Sequence, residues 1–107
     1  MPENKQLSIE NIQKNVDNFI TNHGGYWPPL SMLSAVIEEV GELAREINHS
    51  EGFKPKRSNE PPAIGEELAD ILFAIVCIAN DYNINLSKEF EEGLKKYSIR
   101  NSNRFKK

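Results

Sequence analysis

The chain is 107 residues long, which is enough for one domain with a single core. Hydrophobic residues make up 38% and charged residues 27%, proportions that exclude a disordered chain and a membrane-embedded one. The formal net charge of −3 gives no overall attraction to a nucleic acid polymer or a membrane surface, and one cysteine cannot form an internal disulfide. The polar N-terminus lacks the layout of a signal peptide, so we expect a single-domain cytoplasmic protein that covers residues 1–107.

Two amphipathic helices are predicted in the first half of the chain. Apolar residues recur at steps of three and four over about residues 8–22, and the Gly24-Gly25 pair ends this first helix. Pro28 and Pro29 are typical of a helix entry, and the same apolar period then continues to about Asn48. Residues 50–60 hold Gly, Pro, Ser and three basic residues, a composition that predicts a loop.

Two further helices are predicted over about residues 63–81 and 87–100. No strand-like alternation is present, so the fold class is all-α, with a four-helix bundle as the expected architecture. Between Leu68 and Ala79 every residue except Asp70 is apolar, and a helix of this kind must be covered on all sides. We therefore expect a homodimer in which the third helix lies near the interface between the subunits.

Acidic residues cluster on the second and third helices. Four glutamates of the second helix share one arc of about 100° beside its apolar stripe. Like charges one turn apart repel each other, so a cation is expected to compensate them. On the third helix, two acids stand three residues apart on one face. The members are Glu38, Glu39, Glu42 and Glu46 on the second helix and Glu67 and Asp70 on the third.

Asp70 is the most informative of these acids. A carboxylate within an otherwise apolar helix loses solvation unless it is paired, protonated or bound to a metal. If the two helices pack antiparallel, their acids face each other and form an oxygen-only cage, which suits Mg²⁺ or Mn²⁺ better than zinc. Because Glu39 borders the core and Asp70 lies within it, we interpret both as functional, and Glu46 and Glu66 as solvated surface charges.

These residues resemble the MazG-like nucleotide pyrophosphohydrolases of the all-α NTP pyrophosphatase superfamily over about residues 26–105. The resemblance lies in Glu38-Glu39-Val40-Gly41-Glu42 and Glu67-Leu68-Ala69-Asp70, which match the family's EExxE and ExxD elements. It implies a helical dimer or tetramer that uses Mg²⁺ to cleave nucleoside triphosphates into a monophosphate and pyrophosphate, often to clean the nucleotide pool. It further implies Glu39, Glu42, Glu67 and Asp70 as metal ligands, with Glu38 and Glu39 as catalytic residues and Glu38 as the general base.

Substrate-binding residues are predicted outside the two acidic motifs. Three cations near the chain end resemble the family's basic C-terminal segment and are assigned to the triphosphate: Lys96, Arg100 and Arg104. Asn80 is assigned to holding the nucleotide, with a polar role at the helix end as the alternative. Trp27, with Tyr26 beside it, is assigned to stacking on the base, with packing of the helix entry against the core as the alternative. A second basic set lies in the predicted loop: Lys54, Lys56 and Arg57.

Three other functions compete with this interpretation. Phosphoribosyl-ATP pyrophosphohydrolase shares the chemistry and much of the helix pattern. A di-iron carboxylate bundle also places acids inside helices, but it requires two Glu-x-x-His pairs, and only Glu46 and His49 form one here. A non-catalytic helical interaction module would keep the fold and none of the chemistry.

Overall fold

The computed structural model describes residues 7–52 and 61–100, and within these ranges it contains four helices and no strand. The all-α prediction is confirmed, and the helix ends lie within about two residues of those expected. The helices are α1 (Ile9–Thr21), α2 (Pro29–Ser50), α3 (Ile64–Asp81) and α4 (Leu86–Arg100). Most of the predicted loop, with Lys54, Lys56 and Arg57, lies outside the described residues, as does Arg104.

Local hydrogen bonds explain where α1 begins and ends. The Ser8 hydroxyl accepts a hydrogen bond from the Asn11 backbone N–H at 3.0 Å, which caps the first turn. At the other end, Gly24 has a φ of +105°, a conformation that residues with a side chain rarely adopt. The Gly25 N–H then reaches back to the Ile20 carbonyl at 2.9 Å and closes the helix.

The second and third helices pack against each other in opposite directions, as the sequence predicted. Near the end of α2, the Glu46 carboxylate accepts a hydrogen bond from the Ala63 backbone N–H at 2.6 Å, just before α3 begins. Near the start of α2, Met32 lines the same cleft as Cys77 from late in α3. Contacts at both ends therefore join early residues of one helix to late residues of the other.

Gln13 fastens α1 to the turn between α3 and α4. Its side-chain amide donates to Asn80 Oδ1 at 2.9 Å and to the Ile84 carbonyl at 2.8 Å, and its side-chain carbonyl accepts from the Leu86 N–H at 3.0 Å. Asn80 returns a bond to the Gln13 backbone carbonyl at 3.0 Å. The turn itself needs Asn83 in a left-handed conformation, with φ of 56°. These bonds fix the end of α3.

The core of the described chain is small. Its buried apolar residues are Val16, Met32, Val76, Cys77 and Ala79. The third helix is covered on one face only, because Leu68, Leu72, Phe73 and Ile75 are 40–52% exposed. A second apolar surface runs along α2 through Leu30, Leu33, Ile37, Val40 and Ile47. A single chain thus leaves much of its apolar surface exposed. None of the described helices has the length and apolarity needed to cross a membrane.

Candidate active site

Three carboxylates from two helices meet at the middle of the α2–α3 contact. Glu39 comes from α2, and Glu67 and Asp70 come from α3, where a spacing of three residues places them on one face. Each offers an oxygen atom, and these three oxygens lie within 4.8 Å of one another. Helices that pack antiparallel therefore bring together acids that are about 30 residues apart in the sequence.

The electrostatics of this trio are unfavourable without a cation. The pKa of Glu67 is raised from 4.5 to about 7, first because its protonated form can hydrogen-bond to Glu39, and then because of desolvation. The negative charges of Glu39, Asp70 and Glu42 raise this pKa further. A proton is therefore held near neutral pH at a place where a divalent cation would also balance the charge.

The oxygen atoms fit a hard cation. Glu67 Oε2 is buried and has no hydrogen-bond partner among the described residues, which is costly for a carboxylate oxygen unless something binds it. All three side chains of the trio are carboxylates, and no Lys or Arg from the described chain lines the adjoining cleft. Such a donor set suits Mg²⁺ or Mn²⁺ rather than zinc.

The other two predicted acids of α2 lie beside the trio. Glu42 is half-buried, and its carboxylate accepts a hydrogen bond from Arg45 one turn along the helix. It is still close enough to raise the pKa of Glu67. Glu38 is exposed and lies outside the group of three oxygens. The roles assigned to Glu38 and Glu42 therefore stay predictions.

Two assignments of burial from the sequence were wrong. Asp70 is exposed rather than within the core, because its apolar neighbours on α3 are themselves only partly covered. Glu46 is buried, with 5% of its surface exposed, and it binds the backbone before α3 instead of standing in solvent. The sequence did contain one indication that Glu46 faces α3. It lies seven residues after Glu39, and this spacing places both residues on the same face of α2. Glu66 is exposed, as expected.

A cleft of about 440 Å³ opens beside the carboxylates, a volume within the usual range for small-molecule sites. Glu39 and Asp70 form its acidic end. The rest of the wall is largely apolar and aromatic and comes from the end of α1, the following turn, α2 and α3: Ile20, His23, Gly25, Tyr26, Trp27, Met32, Ala35, Phe73, Ala74 and Cys77. The cleft thus has an acidic end and a largely apolar, aromatic wall that suits a planar, partly apolar group.

Two aromatic residues precede α2: Tyr26 is held by a hydrogen bond, and Trp27 is exposed. The Tyr26 hydroxyl donates a hydrogen bond to Asp17 Oδ1 at 2.6 Å. Desolvation, and then this bond to Asp17, raise the pKa of Tyr26 to about 12, so the hydroxyl stays protonated at neutral pH. Trp27 lines the same cleft but is 67% exposed, which leaves its indole face available to a ligand.

The cleft is not lined by three of the other predicted substrate-binding residues: Asn80, Lys96 and Arg100. Asn80 bonds to Gln13 with both its side-chain groups, so the structure gives it a role in fastening α1 to α3. Lys96 and Arg100 are exposed on α4, which packs on α1, and neither lines the cleft. Cys77 lines the cleft wall, and burial raises the pKa of its thiol, which keeps the thiol protonated.

Comparison with known proteins agrees with the architecture and the motifs. Residues 28–105 match the family model of the MazG nucleotide pyrophosphohydrolase domain. The YpjD protein of Bacillus subtilis (strain 168) is 39% identical over 100 residues, which cover 92% of this chain and 90% of that protein. A crystal structure of YpjD from Bacillus subtilis has a TM-score of 0.78 at 38% identity and covers 87% of this chain and 97% of its own.

A second solved structure, that of the Bacillus-conserved MazG protein, a nucleotide pyrophosphohydrolase, has a TM-score of 0.77 at 37% identity. The match covers 91% of this chain and 96% of that one. The family match spans both acidic motifs, and the two structures share the all-helical fold. The chain therefore belongs to the MazG nucleotide pyrophosphohydrolases, which are hydrolases that act on acid anhydrides.

Proposed function

We propose that this protein hydrolyses nucleoside triphosphates, ribo or deoxy, to the monophosphate and pyrophosphate with the help of Mg²⁺ or Mn²⁺. The observation that carries the proposal is the group of three carboxylate oxygens within 4.8 Å, formed by Glu39, Glu67 and Asp70 at one end of the cleft. Removal of unwanted nucleotides from the cellular pool is the role that the family suggests.

Glu39, Glu67 and Asp70 would hold the cation, with Glu42 beside them. The chemistry that Mg²⁺ or Mn²⁺ supplies in such a site is neutralisation of negative charge on the phosphate oxygens. Three acids this close also keep other anions out of the site unless a cation is present, so binding of a triphosphate is expected to depend on the metal.

Glu38 is assigned as the general base. It precedes Glu39 on α2 and is exposed, so water has access to its carboxylate. In the proposed reaction this carboxylate takes a proton from a water molecule as the water oxygen bonds to the α-phosphorus. The bond between that phosphorus and the bridging oxygen breaks, and the bridging oxygen leaves with pyrophosphate.

The aromatic part of the cleft would receive the nucleoside. Trp27 offers an exposed ring, and Tyr26 is held in place by Asp17, so one aromatic residue is free to stack and the other is rigid. No described cation lines the cleft for the outer phosphates. The roles of Lys96 and Arg100 therefore require a second subunit that brings α4 to the cleft, and Asn80 would act by fixing the cleft wall.

We also propose that the protein is a homodimer, or a tetramer built from such dimers. The support is the uncovered apolar face of α3, on which Leu68, Leu72 and Ile75 are 40–52% exposed at helical spacing. Light scattering is expected to give at least twice the mass of one chain at micromolar concentration. Leu72→Glu should lower this mass, whereas Thr21→Glu, on an exposed site of α1, should not. A wild-type protein with the mass of one chain would contradict the dimer.

Catalysis is tested with a panel of ribo- and deoxynucleoside triphosphates, scored separately for pyrophosphate and for single phosphate. Glu39→Gln and Asp70→Asn remove one oxygen charge each while keeping size, and each is expected to lower kcat/KM about a hundredfold or more. Glu91→Gln makes the same change on an exposed site of α4 and should leave the rate unchanged. Full pyrophosphate release by either cleft variant would refute the assignment and favour a non-catalytic or unrelated role for the trio.

The same experiment separates the competing functions. Phosphoribosyl-ATP in the panel identifies the histidine-pathway enzyme if it alone is hydrolysed. A di-iron centre is disfavoured by the structure, because the described trio contains no histidine. Metal analysis of the purified protein would reverse this conclusion if it found two iron ions per chain.

A further inference from the structure

His23 lies at the turn that follows α1 and lines the cleft together with Trp27, Glu39 and Asp70. The sequence marked it only as part of a helix-ending turn. Among the described residues of the cleft wall, it is the side chain with a ring nitrogen that can accept a hydrogen bond. It therefore has the chemistry to distinguish one nucleobase from another.

One hydrogen bond of the His23 ring indicates which of its two nitrogens carries the proton. Its Nδ1 atom lies 2.7 Å from the Phe19 carbonyl oxygen. A carbonyl oxygen only accepts, so Nδ1 must donate, and the neutral ring then has an unprotonated Nε2. The ring also stacks on Phe19, with 4.2 Å between centroids, which limits its rotation. The described residues provide no hydrogen-bond partner for Nε2.

The other side chains of the cleft wall offer no second ring nitrogen that accepts, and the hydroxyl oxygen of Tyr26 is a weaker acceptor than an imidazole nitrogen. The Tyr26 hydroxyl already donates to Asp17. The indole N–H of Trp27 is a donor, and the Cys77 thiol is a weak one. Glu39 and Asp70 are acceptors, but they belong to the cation-binding end of the cleft. A base that enters the aromatic end thus meets in His23 an acceptor nitrogen whose ring is held in place by Phe19.

We infer that His23 Nε2 selects nucleobases that carry an exocyclic amino group over the matching bases that carry a carbonyl group. An amino group donates an N–H to Nε2, whereas a carbonyl oxygen would place its lone pairs against the lone pair of nitrogen. This inference rests on the proposed function, because it concerns the substrate of the same cleft.

Two pairs of nucleotides test the effect, because in each pair an exocyclic amino group is replaced by a carbonyl group and the adjacent ring nitrogen gains a hydrogen. CTP and UTP differ at position 4, and ATP and ITP differ at position 6. We expect kcat/KM to favour the amino member about tenfold in at least one pair, the size of one net hydrogen bond. His23→Phe keeps the stacking on Phe19 but removes the acceptor, so the ratio should fall to near one. Asn22→Ala, a neighbouring exposed change outside the cleft, should keep the wild-type ratio.

A wild-type ratio within about twofold for both pairs, or a ratio that survives in His23→Phe, would overturn the inference while leaving the proposed function intact. If no nucleotide in the panel is hydrolysed, the proposed function fails. The corresponding monophosphates in binding titrations then test His23 without catalysis. Long-range ¹H–¹⁵N NMR gives a further check, because the free protein at neutral pH should show the proton on Nδ1, and a proton on Nε2 alone would refute the argument.

Discussion

The raised pKa of Glu67 gives a quantitative test of the proposed metal site, because a proton on Glu67 would have to leave if a cation binds there. With a pKa of about 7, the carboxyl group is about nine-tenths protonated at pH 6, half protonated at pH 7 and one-tenth protonated at pH 8. Binding of Mg²⁺ should therefore release about 0.9, 0.5 and 0.1 protons per chain at these pH values. The apparent affinity for Mg²⁺ should rise about fivefold from pH 6 to pH 7 and about twofold from pH 7 to pH 8.

Isothermal titration calorimetry in two buffers with different ionisation enthalpies measures these protons directly. Glu67→Gln carries no titrating group at this position, so it should bind Mg²⁺ more weakly and release almost no protons. Glu91→Gln on α4 is the matched control and should behave as the wild type. Release that does not change between pH 6 and 8, or that persists in Glu67→Gln, would show that Glu67 is not the group displaced by the metal.

The same pKa predicts how the stability of the metal-free protein depends on pH. The folded protein holds the Glu67 proton up to about pH 7, whereas an unperturbed glutamate loses it near 4.5. This group therefore stabilises the fold fully below pH 4.5, and its contribution falls as the pH rises to 7 and is then lost. The melting temperature of Glu67→Gln should decline less over this range, and Mg²⁺ should restore stability to the wild type above pH 7. Thermal melts that show no such difference between the two proteins would contradict the sign of the shift.

Three further changes test the fold that supports the cleft, each by thermal or urea unfolding. Gln13→Ala removes the bonds that join α1 to the α3–α4 turn and should cost about 1–3 kcal/mol, whereas Lys14→Ala on the exposed side should be nearly neutral. Glu46→Ala removes a buried carboxylate that binds the Ala63 N–H, with an expected loss of about 1–3 kcal/mol. Ser8→Ala removes the α1 cap and should cost about 1 kcal/mol. Equal stability of the wild type and Gln13→Ala would show that these hydrogen bonds add no net free energy of unfolding.

Much of the fold could be predicted because its signals are local. Helical periodicity gave the four helices, Gly24 and the proline pairs marked their ends, and the acids at short spacing marked the faces of α2 and α3. The antiparallel contact of these helices was expected if the loop between them returns the chain across the bundle. For this reason the meeting of Glu39 with Glu67 and Asp70 could be expected from the amino-acid sequence alone.

The tertiary structure decided which residues are buried and which residues contact each other, because both depend on which helix surfaces meet. The composition of α3 predicted a helix covered by its own bundle on one side and by a partner on the other, with Asp70 in the core. Within one chain α1 and α2 cover one face of α3, and Asp70 is exposed where it lines the cleft. Glu46 had the sequence pattern of a surface residue and is buried because α3 begins beside it. His23 gained its place in the cleft wall in the same way, since only the folded chain brings the end of α1 to the acids of α2 and α3.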